Sequence, residues 1–128
     1  MIIFGAKNFM IKYHQTNSGQ KVAEIISSTG TIKDPEALLD IMADAGYHDS
    51  SRIVIHEKSL PEDFFNLRSG LAGEILQKFS NYRVRLAVVG DFDNIESKSL
   101  RDFIRESNNR RVINFVKSLE EALSRLDS

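Results

Sequence analysis

Short runs of apolar residues alternate with amphipathic segments along most of the chain. The apolar runs are rich in β-branched residues and have the length of strands, and they fall at Val22–Ile26, Arg52–His56, Val84–Val89 and Val112–Val116. A weaker alternation over Met10–His14 precedes a turn signal at residues 17–19, which predicts a hairpin with the first of these strands. Residues 1–9 are either a loose arm or a short strand.

Amphipathic segments follow each strand from Val22–Ile26 onward. The first opens at Asp34, the expected N-cap, with Pro35 at the first helical position. A long principal helix is predicted over Pro61–Tyr82, with an initial turn at residues 61–63 as an alternative start. Apolar residues recur in this segment every four positions, at Leu67, Leu71, Ile75 and Phe79. Ser118 and Glu121 form a capping box for the last helix.

This order of elements, β-β-α-β-α-β-α-β-α, predicts the fold class. It is typical of an α/β domain whose sheet is mostly parallel after an N-terminal antiparallel hairpin. We therefore expect a single domain over residues 1–128, with a mixed sheet of about five strands and four helices.

Composition narrows the classes of function. With 17 basic and 18 acidic residues, the net charge of −1 gives no general attraction to nucleic acid. The absence of cysteine excludes disulfides, thiolate nucleophiles and cysteine-ligated metals. No apolar run is long enough to span a membrane, so a cytoplasmic protein is expected. Since the sequence contains no phosphate-cradling glycine loop or other cofactor motif, no cofactor is expected.

Polar side chains follow the two central strands. His56, Glu57 and Lys58 come at the end of one strand, and Asp91 follows the next. The carboxyl ends of parallel strands are where open α/β sheets bind ligands. One hypothesis is thus a small hydrolase or metal-dependent enzyme using His56, Glu57 and Asp91, although their spacing fits no named metal signature.

The head of the principal helix suggests a different function. At about 100° per residue, Gly70, Gly73 and Gln77 fall opposite the apolar side of the helix. A face without bulky side chains would let a protein partner approach closely, with Ser69 and Arg68 at its rim. A second copy of the chain, paired through the N-terminal hairpin, is the other candidate partner.

Several phrases of the sequence resemble known families. HEK, LRSGLAGEILQKF, YRVRLAVVGDF, KSLRDFIRES and INFVKSLEEAL are similar to the bacterial family called domain of unknown function 4180, over roughly Lys21 to Leu126. That family brings no established activity. The order of elements, the Ser-Gly-Leu and the closing phrase also resemble the STAS domain of anti-sigma-factor antagonists and of sulfate transporters.

The STAS resemblance implies a role for Ser69. In the antagonists the serine before the helix-opening Gly-Leu is phosphorylated by a partner kinase, and the matching residues here are Ser69, Gly70 and Leu71. The two preceding residues, Leu67 and Arg68, differ from the acidic and small polar residues of the antagonists. Our prediction is a non-enzymatic regulatory or binding module that docks a protein partner or a small ligand through the helix face around Ser69–Gly73 and the neighbouring corner with His56 and Lys58.

Overall fold

The computed structural model describes residues 2–4, 10–26, 32 and 34–127, with residues 2–4 described by their backbone alone. One sheet runs through it in the order β1 to β6. The strands are β1 Ile2–Phe4, β2 Met10–Gln15, β3 Lys21–Ile26, β4 Arg52–His56, β5 Arg85–Val89 and β6 Ile113–Val116. Strands β1, β2 and β3 pair antiparallel, whereas β3 to β6 pair parallel.

The predicted fold class is confirmed, because the described residues form a mixed α/β sheet with four α-helices. These are α1 Pro35–Tyr47, α2 Leu71–Asn81, α3 Lys98–Arg110 and α4 Leu119–Leu126. The sheet has six strands because part of the N-terminal arm forms β1, while residues 5–9 lie outside the described part. The predicted cap of α1 is also confirmed, since the Asp34 carboxylate accepts a 2.9 Å hydrogen bond from Ala37 N–H.

The helices divide between the two faces of the sheet. Because β3 to β6 follow one another in sequence order, right-handed crossovers carry α1, α2 and α3 to the same face. The larger apolar core lies there, and its fully buried members include Leu38, Ile55 and Phe79. Each helix in the described part of the chain is too short or too polar to cross a membrane.

Helix α4 packs on the opposite face. Its buried Ala122 and Leu126 form a second, smaller cluster with Val54, Ala87 and Val116. The helix contacts β4, β5 and β6. Val22 of β3 belongs to the same cluster, so Glu24, two residues further along this strand, also points to the face of α4.

The predicted principal helix over Pro61–Tyr82 was wrong in its first half. After β4 the chain makes three short 3-10 turns, at Glu57–Ser59, Glu62–Phe65 and Leu67–Ser69, and α2 begins only at Leu71. Gly70 stops the last turn with a φ of +76°, a left-handed conformation that glycine adopts at no steric cost. Gly70 is therefore the residue before α2, and the expected position inside a helix is corrected.

Candidate functional site

The strand-helix corner, residues 57–70 between β4 and α2, lies at the carboxyl ends of the parallel strands. Glu57 leads away from β4, and its Oε2 accepts a 3.1 Å hydrogen bond from the Asp91 N–H at the end of β5. The carboxylate lies directly against Gly90, where an added Cβ would come within 2.7 Å of the Glu57 Cβ. Glu57 thus ties the corner to the next strand.

An open cleft of about 700 Å³ lies in the corner, on the side of the first two turns. Its lining mixes acidic and apolar side chains with one lysine, namely Glu57, Lys58, Leu60, Pro61, Glu62, Asp63 and Phe65. Lys58 is exposed, whereas Leu60 is buried and Phe65 is half-buried. The cleft is open to solvent, which suits a surface contact better than an enclosed substrate.

Ser69 holds the last turn of the corner together. Its hydroxyl lies 2.6 Å from the Asp63 carbonyl and 2.7 Å from the Asn66 carbonyl. The same oxygen accepts a 3.2 Å hydrogen bond from the Leu71 N–H, the first residue of α2. Ser69 is exposed, yet its hydroxyl takes part in the local backbone structure. Phosphorylation would remove the hydroxyl proton and with it the bond to a carbonyl.

The surface formed by Ser69, Gly70, Gly73 and Gln77, here called the glycine face, is exposed at all four residues. Ile75 and Phe79 of the same helix are 1% and 0% exposed, so α2 buries its other side. An added Cβ at Gly73 would meet no atom within 4 Å. Arg68 is also exposed, at the edge of this face. The face is therefore exposed and carries two glycines and two polar side chains.

His56 points to a different partner from the one expected. Its Nε2 lies 2.7 Å from Oε2 of Glu24 on β3, and Nε2 of His14 on β2 lies 2.8 Å from Oε1 of the same carboxylate. Successive side chains on a strand alternate between faces, so these three residues share the sheet face of α4. Glu24 is buried at 7% exposure, whereas the two imidazoles remain partly exposed.

The charge on Glu24 is maintained by its neighbours. Burial raises the pKa of Glu24. The hydrogen bonds from His56 and His14 and the electrostatic attraction of the two rings lower it by a larger amount, so the pKa of Glu24 is below the ordinary value of 4.5. An ionised carboxylate only accepts hydrogen bonds. Each Nε2 must therefore carry the proton it donates, which leaves the Nδ1 of a neutral ring as the atom that can accept.

The strand register places the two histidines on opposite sides of Glu24. His14 pairs with Val22, two residues before Glu24, whereas Glu24 itself pairs with Val54, two residues before His56. Because the rings approach the carboxylate from opposite directions, their nitrogen atoms do not surround a common point. Consistently, the described residues contain no group of three or more His, Asp or Glu side chains arranged to hold a metal ion.

The residues of the enzyme hypothesis have separate partners. His56 bonds to Glu24, and Glu57 accepts from the Asp91 backbone. The Asp91 carboxylate in turn accepts a 3.1 Å bond from the Asp93 N–H. Within the described part of the chain no hydrogen bond joins His56 to Glu57 or Asp91, so the arrangement offers no His–carboxylate pair made from these three residues. The catalytic assignment stays an untested prediction.

Sequence reasoning missed His14 and Glu24. His14 belongs to a weakly alternating strand, and Glu24 stands between apolar neighbours where an isolated charge draws little notice. A signal did exist, because a charged residue inside a buried strand requires a partner. Finding that partner required the registers of two strand pairs, which the spacing along the chain does not contain.

Comparison with known proteins agrees with the sequence resemblance at the level of family. A family model described as Domain of unknown function (DUF4180) matches residues 17–126. No curated protein matches the chain, and no solved structure matches it. The likeness to the STAS domain therefore remains a prediction. The match covers most of the sequence from the β2–β3 turn to the end of α4, and the chain belongs to the DUF4180 family.

Proposed function

We propose that the protein is a non-enzymatic binding module that docks a protein partner on the glycine face and the adjoining strand-helix corner. Ser69, Gly70, Gly73 and Gln77 make the central contact in this proposal. Lys58 and Arg68 are exposed at its edges and supply cationic side chains for orientation. The role is regulatory in the sense that occupancy of this face, and not a chemical reaction, would be the signal.

Gly73 is the observation that carries the proposal. Gly73 is the third residue of α2, and glycine in a helix is less favourable than alanine by up to about 1 kcal/mol, the value for interior positions. The usual internal reasons for accepting that penalty are a left-handed backbone or a close neighbour. Gly73 lies in α2 without a positive φ, and a Cβ there would touch nothing within 4 Å. The open space at Gly73 supports contact with a molecule outside the chain as the reason for a glycine at this position.

The rest of the glycine face supports close approach. Gly70 adds a second position without a side chain, next to the first turn of α2. Gln77 is exposed one turn further along and its amide donates a 3.0 Å hydrogen bond to the Asn81 side chain, so it is presented in a defined position. Together these residues form a strip along α2 on which another helix or a strand could lie with its backbone near the α2 axis.

The test is affinity capture from the cells that produce the protein, with three baits read by quantitative mass spectrometry. The baits are wild type, Gly73→Arg and Asn109→Arg, where Asn109 is an exposed neutral position on α3. Both variants add one arginine to an exposed helix, so they match in charge. Circular dichroism establishes that each bait is folded.

The proposal expects a partner that wild type and Asn109→Arg capture equally and that Gly73→Arg loses at least tenfold. The purified partner should then bind the wild-type chain directly and bind Gly73→Arg more weakly. A partner retained equally by all three folded baits would place its contact elsewhere and overturn the role of the glycine face.

A further inference from the structure

In the described sheet β6 is an edge strand, which pairs with β5 on one side and with no strand on its outer side. The carbonyl of Val112, directly before β6, accepts a 2.8 Å hydrogen bond from Leu86 N–H, and the carbonyl of Val116, at the end of β6, accepts a 2.9 Å hydrogen bond from Gly90 N–H, directly after β5. Backbone groups of successive strand residues point in opposite directions. The N–H and C=O of Phe115 therefore point away from β5, toward the outer edge, where another strand could pair.

A single side chain occupies both of these groups. Oδ1 of Asn108 accepts a 2.6 Å hydrogen bond from the Phe115 N–H, and Nδ2 of Asn108 donates a 3.3 Å hydrogen bond to the Phe115 carbonyl. A carboxamide carries the same donor and acceptor as a peptide group. Asn108 thus makes with Phe115 the pair of bonds that a neighbouring strand would make.

The asparagine is itself fixed in place. It lies near the end of α3, and its backbone carbonyl accepts a hydrogen bond from the Arg125 guanidinium. Nε of Arg125 donates a 2.9 Å bond to Oδ1 of Asn114, a fully buried residue of β6. Helices α3 and α4 and the strand are therefore linked through Arg125, and the Asn108 carboxamide is held against the edge.

We propose that the Asn108 side chain blocks the outer edge of β6 and so prevents it from pairing with the β6 of a second copy of this chain. Unpaired strand edges recruit other strands. The same edge in two copies is self-complementary when the strands run antiparallel about a two-fold axis. Such pairing would join two six-stranded sheets into one, and the two bonds from Asn108 to Phe115 prevent it. This inference is independent of the glycine face.

The experiment compares wild type with Asn108→Ala, and uses Asn109→Ala as the matched control. Asn109 is the next residue on α3 and is exposed. In the described part of the chain the two side-chain hydrogen bonds to Phe115 come from Asn108 and not from Asn109. Hydrogen exchange measured at the Phe115 amide reports whether the edge is closed. Sedimentation equilibrium over a range of protein concentrations reports association.

In wild type and Asn109→Ala the Phe115 amide should exchange slowly. In Asn108→Ala at low concentration it should exchange roughly tenfold faster or more, since two hydrogen bonds are lost. At high concentration the same variant should double its mass relative to wild type, and the amide should become protected again. A folded Asn108→Ala with wild-type exchange, or with an open edge and no gain in mass, overturns the proposal.

Asn108→Asp covers the case in which the alanine variant does not fold. Aspartate keeps an acceptor for the Phe115 N–H but loses the donor to the Phe115 carbonyl. It should show partial opening of the edge and weaker association than a full deletion. Wild-type behaviour of this variant in both measurements would contradict the proposal that Asn108 blocks the edge. Rapid exchange of the Phe115 amide in the wild-type protein itself would contradict it too.

Discussion

Replacing Glu24 by glutamine tests the account of the buried His14–Glu24–His56 cluster. The substitution keeps the shape of the side chain and removes its charge. In the wild type both carboxylate oxygens accept from an imidazole Nε2, at 2.8 Å and 2.7 Å. A glutamine has one accepting oxygen and one donating nitrogen. It can keep both contacts only if one histidine moves its proton from Nε2 to Nδ1.

The magnitude follows from the two hydrogen bonds. A bond to a charged group contributes about 1.5–3 kcal/mol and a neutral one about 0.5–1.5 kcal/mol. The side chains of His14 and His56 are 16% and 30% exposed, so water replaces part of what is lost. We expect Glu24→Gln to lower the free energy of unfolding at neutral pH by about 1–2 kcal/mol.

The pH dependence has a definite sign. Burial raises the pKa of Glu24, but the hydrogen bonds and charges of the two histidines outweigh it, so the folded pKa is below the ordinary value of 4.5. A carboxylate with a lowered pKa stabilises the fold above its unfolded pKa, and this contribution is lost as the pH falls through the folded pKa. The difference between wild type and Glu24→Gln should be largest above pH 4.5 and should shrink in more acidic solution.

Urea denaturation at neutral pH and at a series of values below 4.5 measures this difference. Glu106→Gln is the control, because Glu106 is exposed on α3 and should show little change at any pH. Equal stability of wild type and Glu24→Gln at neutral pH would refute the reasoning. So would a difference that grows as the pH is lowered further below 4.5.

Three further substitutions test the corner and the glycine face by thermal and urea unfolding. Gly73→Ala should raise the free energy of unfolding by about 0.5–1 kcal/mol, because its Cβ enters open space and alanine favours the helix; a loss of stability would mean that the face is packed. Gly90→Ala should lower the free energy of unfolding by about 1–3 kcal/mol, because the new Cβ would come within 2.7 Å of the Glu57 Cβ and displace the carboxylate that accepts from Asp91 N–H. An unchanged midpoint of unfolding would show that Glu57 moves aside at no cost. Ser69→Ala should lower the free energy of unfolding by about 1 kcal/mol, because its hydroxyl bonds the Asp63 and Asn66 carbonyls and the Leu71 N–H; unchanged stability would mean that water replaces all of these bonds.

The strands could be predicted because their physical signal is local. The run Ile53-Val54-Ile55 is β-branched and wholly buried, and a strand covered on both faces needs this composition. The caps of α1 and α4 were also readable, since a side chain bonds a backbone N–H three residues away. Such features depend on residues that are close together in the sequence.

The first half of the principal helix shows where periodicity misleads. Leu67 lies on the apolar spacing of the helix, but the Asn66 side chain bonds the Arg68 N–H and Gly70 takes a positive φ, which ends the turn before α2. Leu67 is still packed against the core, so the spacing reported burial correctly and the backbone conformation wrongly. Short polar side chains and a glycine decided the local structure there.

The candidate site was predicted in part for a similar reason. Exposure of Gly73 and Gln77 follows from helical geometry once Ile75 and Phe79 are assigned to the core. The pairing of His56 with Glu24 does not follow from helical geometry, because Glu24 lies on β3, thirty-two residues earlier in the chain. Contacts across a sheet depend on register, which arises from the packing of the whole sheet.

Photo-crosslinking in cells tests the proposed docking face most directly. A photoreactive amino acid is placed at Gln77 in one chain and at Asn109 in another, both at exposed helix positions. The account predicts a discrete covalent adduct with one protein from position 77, its absence from position 109, and its loss when Gly73→Arg is added to the first chain. No adduct from position 77, or the same adducts from both positions, would contradict the proposal that this face binds a protein partner.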